Sequence, residues 1–287
     1  MALQFAHSRF QVSGGNAGST RKPDRSKWLG RGWMIGDWKH ASASVIGTSH
    51  LKTEDGVCQD AHGCSFTQDI DRLVCVVSDG AGSASRSADA SRLVCEWIAT
   101  HVSRAPEDDV HTEGYARRTT SELRMALEDL ADFEDLPLRQ FACTLLVAIV
   151  ADRVCTFWQL GDGAICFREA EQEEYRVAIW PSKGEYANTT YFLTDPNASE
   201  ELEWDSVEMQ VADIAVFSDG LERLALDFKT QQAHAKFFSG LFPHLYNKPS
   251  GEATEIQAQL AQFLASDRIN AKTDDDKTLV LATRECI

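Results

Sequence analysis

The sequence predicts an α+β fold: a central antiparallel β-sandwich with pairs of helices on its outer faces. Three observations predict it. Apolar runs of strand length follow one another through short turns, as in 143–150 and 154–160 joined by Ala151, Asp152 and Arg153. Two stretches switch to a helical apolar period between the first and second groups of strands. The order is therefore strands, two helices, strands, a helix and a last strand, which is not the regular βαβ alternation of a parallel sheet. At 287 residues and 43% hydrophobic content, the chain can bury an ordinary core.

Residues 1–27, with Ser13, Gly14, Gly15 and the basic Arg21, Lys22 and Arg25, read as a mobile lead-in. Residues 1–40 are set apart as an N-terminal extension, partly flexible, and 41–287 as the domain. Trp28, Trp33 and Trp38 are expected to cover an edge of the core. Strands are expected at 43–47, 64–66 and 73–78. Ala90, Leu93, Val94, Trp97, Ile98 and Val102 fall on one helical stripe, with Ser83 or Ser85 as N-cap and Pro106 as the stop. A second helix is expected at about 113–133, with Leu123, Ala126, Leu127, Leu130 and Phe133 inward. Strands at 143–150, 154–160, 164–167, 175–180, 191–193 and 214–218 follow. A short helix at 221–226, a helix at 254–265 and a strand at 278–282 complete the chain.

A formal net charge of −16 argues against nucleic acid and anionic membranes as partners, since both need a basic face. No apolar run reaches the length of a membrane span, and the N-terminus has no signal pattern, so a soluble cytoplasmic protein is expected. The eight cysteines form no paired CxxC spacing and read as reduced structural thiols.

The organising stretch is 73–82, five apolar residues ending in Ser78, Asp79, Gly80, Ala81 and Gly82. An acid at the end of a buried strand, beside a backbone that glycine leaves open, suits a hard cation. The device recurs at Asp162-Gly163 and Asp219-Gly220 and is inverted at Asp274, Asp275 and Asp276, which lead into an apolar strand. A single Asp-Gly is usually a turn, and for Asp162 alone a turn residue is at least as good a reading. In the run 274–276 at most one acid is expected to be a ligand, the others solvated or capping. Suppose Asp60, Asp79, Asp219 and Asp275 converge. Carboxylates and carbonyls then select Mg²⁺ or Mn²⁺ over zinc, and two ions bridged by Asp79 would activate a shared water for in-line attack on a phosphoryl group.

In the order of these motifs the chain resembles the metal-dependent serine/threonine protein phosphatases of the PPM, or type 2C, family, in a compact bacterial form. The resemblance covers about residues 40–285. It rests on Gln59-Asp60, Ser78-Asp79-Gly80-Ala81-Gly82, Cys143-Thr144, Leu160-Gly161-Asp162-Gly163, Ser218-Asp219-Gly220-Leu221 and Asp275-Asp276-Lys277-Thr278. It implies a four-layer α-β-β-α sandwich and hydrolysis of phosphoserine and phosphothreonine by a water bridging two Mn²⁺ or Mg²⁺ ions. It also implies a phosphorylated protein substrate and a cognate serine/threonine kinase system. Asp79 would bridge both ions and the Gly80 carbonyl would complete one site. Asp219 and Asp275 would hold one ion, Asp60 the other, and Asp162 with Asp219 a looser third.

The family's phosphate-binding arginine, a few residues before Asp60, has no counterpart in 49–54. Lys52 or His50 stands in its place, lysine as a point charge rather than a fork; His50 is also a candidate to protonate the leaving alkoxide. Residues 184–190 lie where the family has a mobile flap. Two other readings remain: a catalytically weak regulatory or binding module that kept the fold, and a phosphatase for small phosphomonoesters.

Overall fold

Strands β1 (Lys39–Val45), β2 (Ala61–Thr67) and β3 (Arg72–Ser78) open the chain in the computed structural model, which describes residues 38–52, 56–67, 71–181 and 190–285. Helices α1 (Ser87–His101) and α2 (Glu113–Glu134) follow. Then come β4 (Leu145–Val150), β5 (Val154–Leu160), β6 (Ala164–Glu169), β7 (Tyr175–Val177), β8 (Glu203–Glu208) and β9 (Val211–Phe217). After a two-residue hairpin, β10 (Leu226–Asp227) and β11 (Gln232–Ala233), the chain runs through β12 (Gly251–Glu252), α3 (Thr254–Leu264) and β13 (Lys277–Thr283).

The strands form two main sheets, ordered β12-β1-β13-β9-β6-β7 and β2-β3-β4-β5-β8. Every pairing is antiparallel except the short β1–β12 contact. Three apolar cores separate the layers. Cys75, Val77, Leu146, Ala148, Ile165, Ile214, Val216 and Val280 fill the space between the sheets. Leu93, Val94, Ile98, Leu123 and Leu127 of α1 and α2 pack on the five-stranded sheet. Ile256, Leu260 and Leu264 of α3, with Phe238 and Phe242, cover the six-stranded one. This is the four-layer sandwich expected. It also explains why β4 is apolar throughout and β3 and β9 nearly so: each is buried along its whole length.

Several local expectations change. Helix α1 begins at Ser87 and has no side-chain cap, so neither Ser83 nor Ser85 is its N-cap. The Ser85 hydroxyl and amide instead donate to Gln140 Oε1. Phe133 is 62% exposed: the buried stripe runs through Leu123, Leu127, Leu130 and Ala131, and Phe133 falls at its rim. Residues 191–193 are not a strand, though the Leu193 amide donates to the Cys143 carbonyl. The first strand starts at Lys39, earlier than expected, and 175–180 yields a strand of three residues. Strand β8 was not anticipated. Its sequence, EWDSVE, is polar, but it is an edge strand that packs Trp204 against the helical core and Val207 into the inter-sheet core. Of the three tryptophans, Trp38 is buried under the Arg284 guanidinium, 4.8 Å from its ring. Trp28 and Trp33, like residues 1–37 generally, lie outside the described residues.

Candidate metal centre

Sheet register brings the acids together. Asp60 stands just before β2 and Asp79 just after β3, and those ends pair through Ala61 and Ser78. Asp219 lies two residues past the end of β9, and Asp275 two before the start of β13, next to which β9 runs with Leu279 opposite Phe217. Asp162 sits in the turn from β5 to β6, whose first residue Ala164 also faces Phe217. One end of the sandwich therefore collects acids from five separate stretches. Carboxylate oxygens of Asp79, Asp162 and Asp219 lie within 4.8 Å of one another.

Each acid is held by its neighbours. The Asp79 amide donates to Thr144 Oγ1 at 2.9 Å, the Thr144 amide to the Asp79 carbonyl at 2.8 Å, and Ser78 Oγ to the Thr144 carbonyl at 2.6 Å. Ser218 Oγ donates to Asp60 Oδ2 at 2.6 Å while accepting the Thr278 amide at 3.0 Å. Thr190 Oγ1 donates to Asp162 Oδ2 at 2.9 Å.

Close backbone approach dictates the glycine in two of the Asp-Gly pairs. At Gly220 a Cβ would fall 2.0 Å from the Asp276 carbonyl oxygen, so only glycine lets the β9 and β13 ends approach. At Gly80 a Cβ would meet the Gln59 carbonyl oxygen at 2.7 Å and Ser87 Cβ at 2.8 Å. Backbone packing thus already requires glycine at position 80, whatever approaches from the cleft.

Among the described residues the cluster is short of positive charge. Burial first, then Asp60, Asp219 and Asp162, push the Asp79 carboxyl well above its usual range. Asp60 is raised to about 6, mainly by burial and then by Asp276, against the opposing Ser218 hydrogen bond. Asp219 is raised to about 7 by burial, Asp162 and Asp275. Asp60 Oδ1 and Asp219 Oδ1 are buried with no hydrogen-bond partner when ionised. Their contacts with Asp79 become hydrogen bonds only if one of the carboxyls keeps a proton. Lys277, the cation next in sequence, turns its Nζ to Asn270 Oδ1 at 2.9 Å. Hard oxygen donors with buried, unpartnered lone pairs fit a divalent cation such as Mg²⁺ or Mn²⁺.

The sequence missed the part played by Asp276. It is buried, with Oδ1 accepting the Gly47 amide and Oδ2 the Gln59 amide, both at 2.6 Å. Its Oδ1 also lies 3.0 Å from His50 Nδ1. An acid that caps two loops is the capping role foreseen for part of the 274–276 run, but here it also orients a histidine. The Asp-Asp-Asp run alone carried no signal for which acid would turn inward. The serines preceding Asp79 and Asp219 were visible as a repeated Ser-Asp-Gly, and both hydroxyls prove to be structural donors. His50 and Lys52 share one short turn, His50–Lys52, and the side chain of Lys52 lies outside the described residues. So do residues 182–189, most of the expected flap.

Comparison with known proteins places these features in context. Residues 46–265 match a family model described as protein phosphatase 2C. The chain is 33% identical over 254 residues to serine/threonine-protein phosphatase 3 of Escherichia coli K12, covering 85% of this chain and 98% of that protein. Among solved structures, the catalytic domain of the serine/threonine protein phosphatase PstP with two manganese ions superposes with a TM-score of 0.59. The identity is 16%, covering 86% of this chain and 98% of that one. Stp1 of Staphylococcus aureus gives 0.59 at 15% identity, covering 85% and 94%.

Proposed function

The chain belongs to the protein phosphatase 2C family, and on that premise we propose that its acidic cleft binds two Mn²⁺ or Mg²⁺ ions and hydrolyses phosphoserine and phosphothreonine in proteins. The protein is a metal-dependent serine/threonine phosphatase. The single observation that supports the two-ion reading is the convergence of Asp60, Asp79, Asp162, Asp219 and Asp275, with buried oxygens that no donor satisfies.

Asp79, between Asp60 and Asp219, would serve both ions. Asp219, Asp275 and the Gly80 carbonyl would complete one site, Asp60 the other, and Asp162 with Asp219 a weaker third. Bound there, the ions supply the positive charge for the phosphate oxygens and lower the pKa of water. The protein's own residues do the rest. The Thr144 bonds to the Asp79 backbone and the Ser218 bond to Asp60 hold those carboxylates in place, so little reorganisation accompanies reaction.

The Asp276 carboxylate lies against the Nδ1 side of His50, Oδ1 at 3.0 Å. The opposite ring nitrogen, Nε2, lies 3.8 Å from the point where a side chain at Gly82 would begin, on the loop that follows Asp79. There it would deliver a proton to the departing serine or threonine oxygen. Lys52, on the same turn, would attract the phosphate dianion. The protein substrate implies a kinase that phosphorylates it.

The test is Asp79→Asn, assayed on an aryl phosphate, on phosphopeptides and on small phosphomonoesters, with Mn²⁺ binding followed by calorimetry. Loss of turnover by on the order of a hundredfold or more is expected, with weakened ion binding and a metal-free melting temperature at or above that of the wild type, since asparagine removes a charge from the acid cluster. Retention of turnover, or of two full-affinity ions, would refute the reading. Hydrolysis of small metabolites in preference to phosphopeptides would favour the phosphomonoesterase.

A further inference from the structure

Away from the acids, two cysteines face each other across neighbouring strands. Cys64 of β2 and Cys75 of β3 are direct partners in the antiparallel register, with sulfurs 3.6 Å apart. Facing residues of antiparallel strands have Cα atoms about 4.5–5.5 Å apart, inside the roughly 4.4–6.8 Å that a disulfide spans. A bond between the sulfurs needs side-chain rotation and no separation of the strands. Cys75 is wholly buried, whereas Cys64 is part-exposed and β2 is the edge strand of its sheet. A small oxidant therefore meets Cys64 first.

We propose that Cys64 and Cys75 form an oxidation site, a cross-strand dithiol that hydrogen peroxide converts to a disulfide. The Cys64 thiolate attacks one peroxide oxygen and the O–O bond breaks, leaving a sulfenic acid on Cys64 and a hydroxide that takes up a proton. The Cys75 sulfur then attacks the sulfenic sulfur and expels a second hydroxide, which takes the Cys75 proton. Two thiols and one peroxide become one disulfide and two waters.

Local chemistry separates Cys64 from the other described thiols, while the Cys64 hydrogen bond and then burial push its partner Cys75 up. Burial pushes the thiols of Cys95, Cys155 and Cys166 up, and that of Cys143 to about 12, which keeps them inert. Cys64 is drawn down to about 6, first by its hydrogen bond with Cys75 and, against burial, by His40 on the facing sheet. His40 is contributed by β1, opposite Glu252 of β12.

The location gives the bond a consequence, which rests on the proposed function. β2 begins one residue after Asp60 and β3 ends one residue before Asp79. Drawing the sulfurs from 3.6 Å to about 2.05 Å clamps together, at one point, the two strands that aim these acids and restricts their local twist. A misplacement of those acids by about 1 Å is costly to catalysis.

The experiment treats the reduced full-length protein with hydrogen peroxide and maps peptides without reductant. A Cys64–Cys75 linked peptide is expected, with two of the eight thiols lost and restored by dithiothreitol. Turnover at saturating Mn²⁺ should fall at least threefold on oxidation and recover on reduction. Cys64→Ser should retain basal turnover, form no linked peptide and resist peroxide; Cys75→Ala serves as the second variant should serine disturb the core. Absence of the linked peptide from oxidised wild type overturns the proposal, as does a fully linked protein that turns over at the reduced rate. Peptide mapping needs no turnover, so failure of the oxidation site and failure of the phosphatase reading are told apart.

Discussion

Asp276 shows how one side chain joins loops that are distant in sequence. It receives the amides of Gly47 and Gln59 and contacts His50, so it ties three separate loop positions to the start of β13. Asp276→Ala leaves the buried Gly47 N–H without an acceptor, at about 1–3 kcal/mol, and the part-buried Gln59 N–H at less, and a lower denaturation midpoint is expected. Turnover of Asp276→Asn is the sharper measurement. Asparagine keeps one acceptor oxygen but removes the carboxylate charge beside His50 Nδ1. Its kcat should fall most for substrates with poor leaving groups and least for aryl phosphates, which need little proton delivery. Equal losses on both would show that Asp276 acts through the fold alone. The acids that a Ser-Asp-Gly repeat makes conspicuous were legible in the sequence. Asp276 was not, because a run of three aspartates does not say which one the backbone turns inward.

At the scale of elements, hydrophobic period located α1, α2, α3 and most strands, and failed where burial and polarity part company. Strand β8 is polar because, at the sheet edge, it needs only Trp204 and Val207 to pack. Phe133 lies at the rim of the buried stripe of α2, since an apolar period gives the direction of a helix face and not its width. Leu127 is fully buried on that face and Phe133 is 62% exposed. Leu127→Ala should therefore cost about 2–5 kcal/mol, and Phe133→Ser should stay within about 0.5 kcal/mol, as read from urea midpoints. A comparable loss at both positions would mean that the end of α2 is covered by something beyond the described residues.

At the scale of the whole molecule, the excess of acid makes cations part of the stability balance. A carboxyl whose pKa is raised by folding contributes stability that is complete below its unfolded value and is lost as pH rises through the folded one. For Asp60, raised to about 6, and Asp219, raised to about 7, the loss falls between about pH 4 and 7, and Asp79 shifts in the same direction. The metal-free protein should thus melt at lower temperature at pH 8 than at pH 5.5. Saturating Mn²⁺ should raise Tm more at pH 8, because ions and protons compete for the same oxygens. Calorimetric scans at the two pH values, with and without Mn²⁺, read both effects; a cation-induced gain that is larger at pH 5.5 would contradict the picture. No described helix is long and apolar enough to cross a membrane. By itself the sequence determined the α+β class, the main helices and the order of Asp-Gly motifs, because hydrophobic period and turn chemistry are local properties of neighbouring residues. Which acids share one site, which glycines are dictated by close backbone approach and which cysteines face each other were decided only by tertiary structure. Sheet register alone sets the distance between residues a hundred positions apart, and that register depends on how two whole sheets pack.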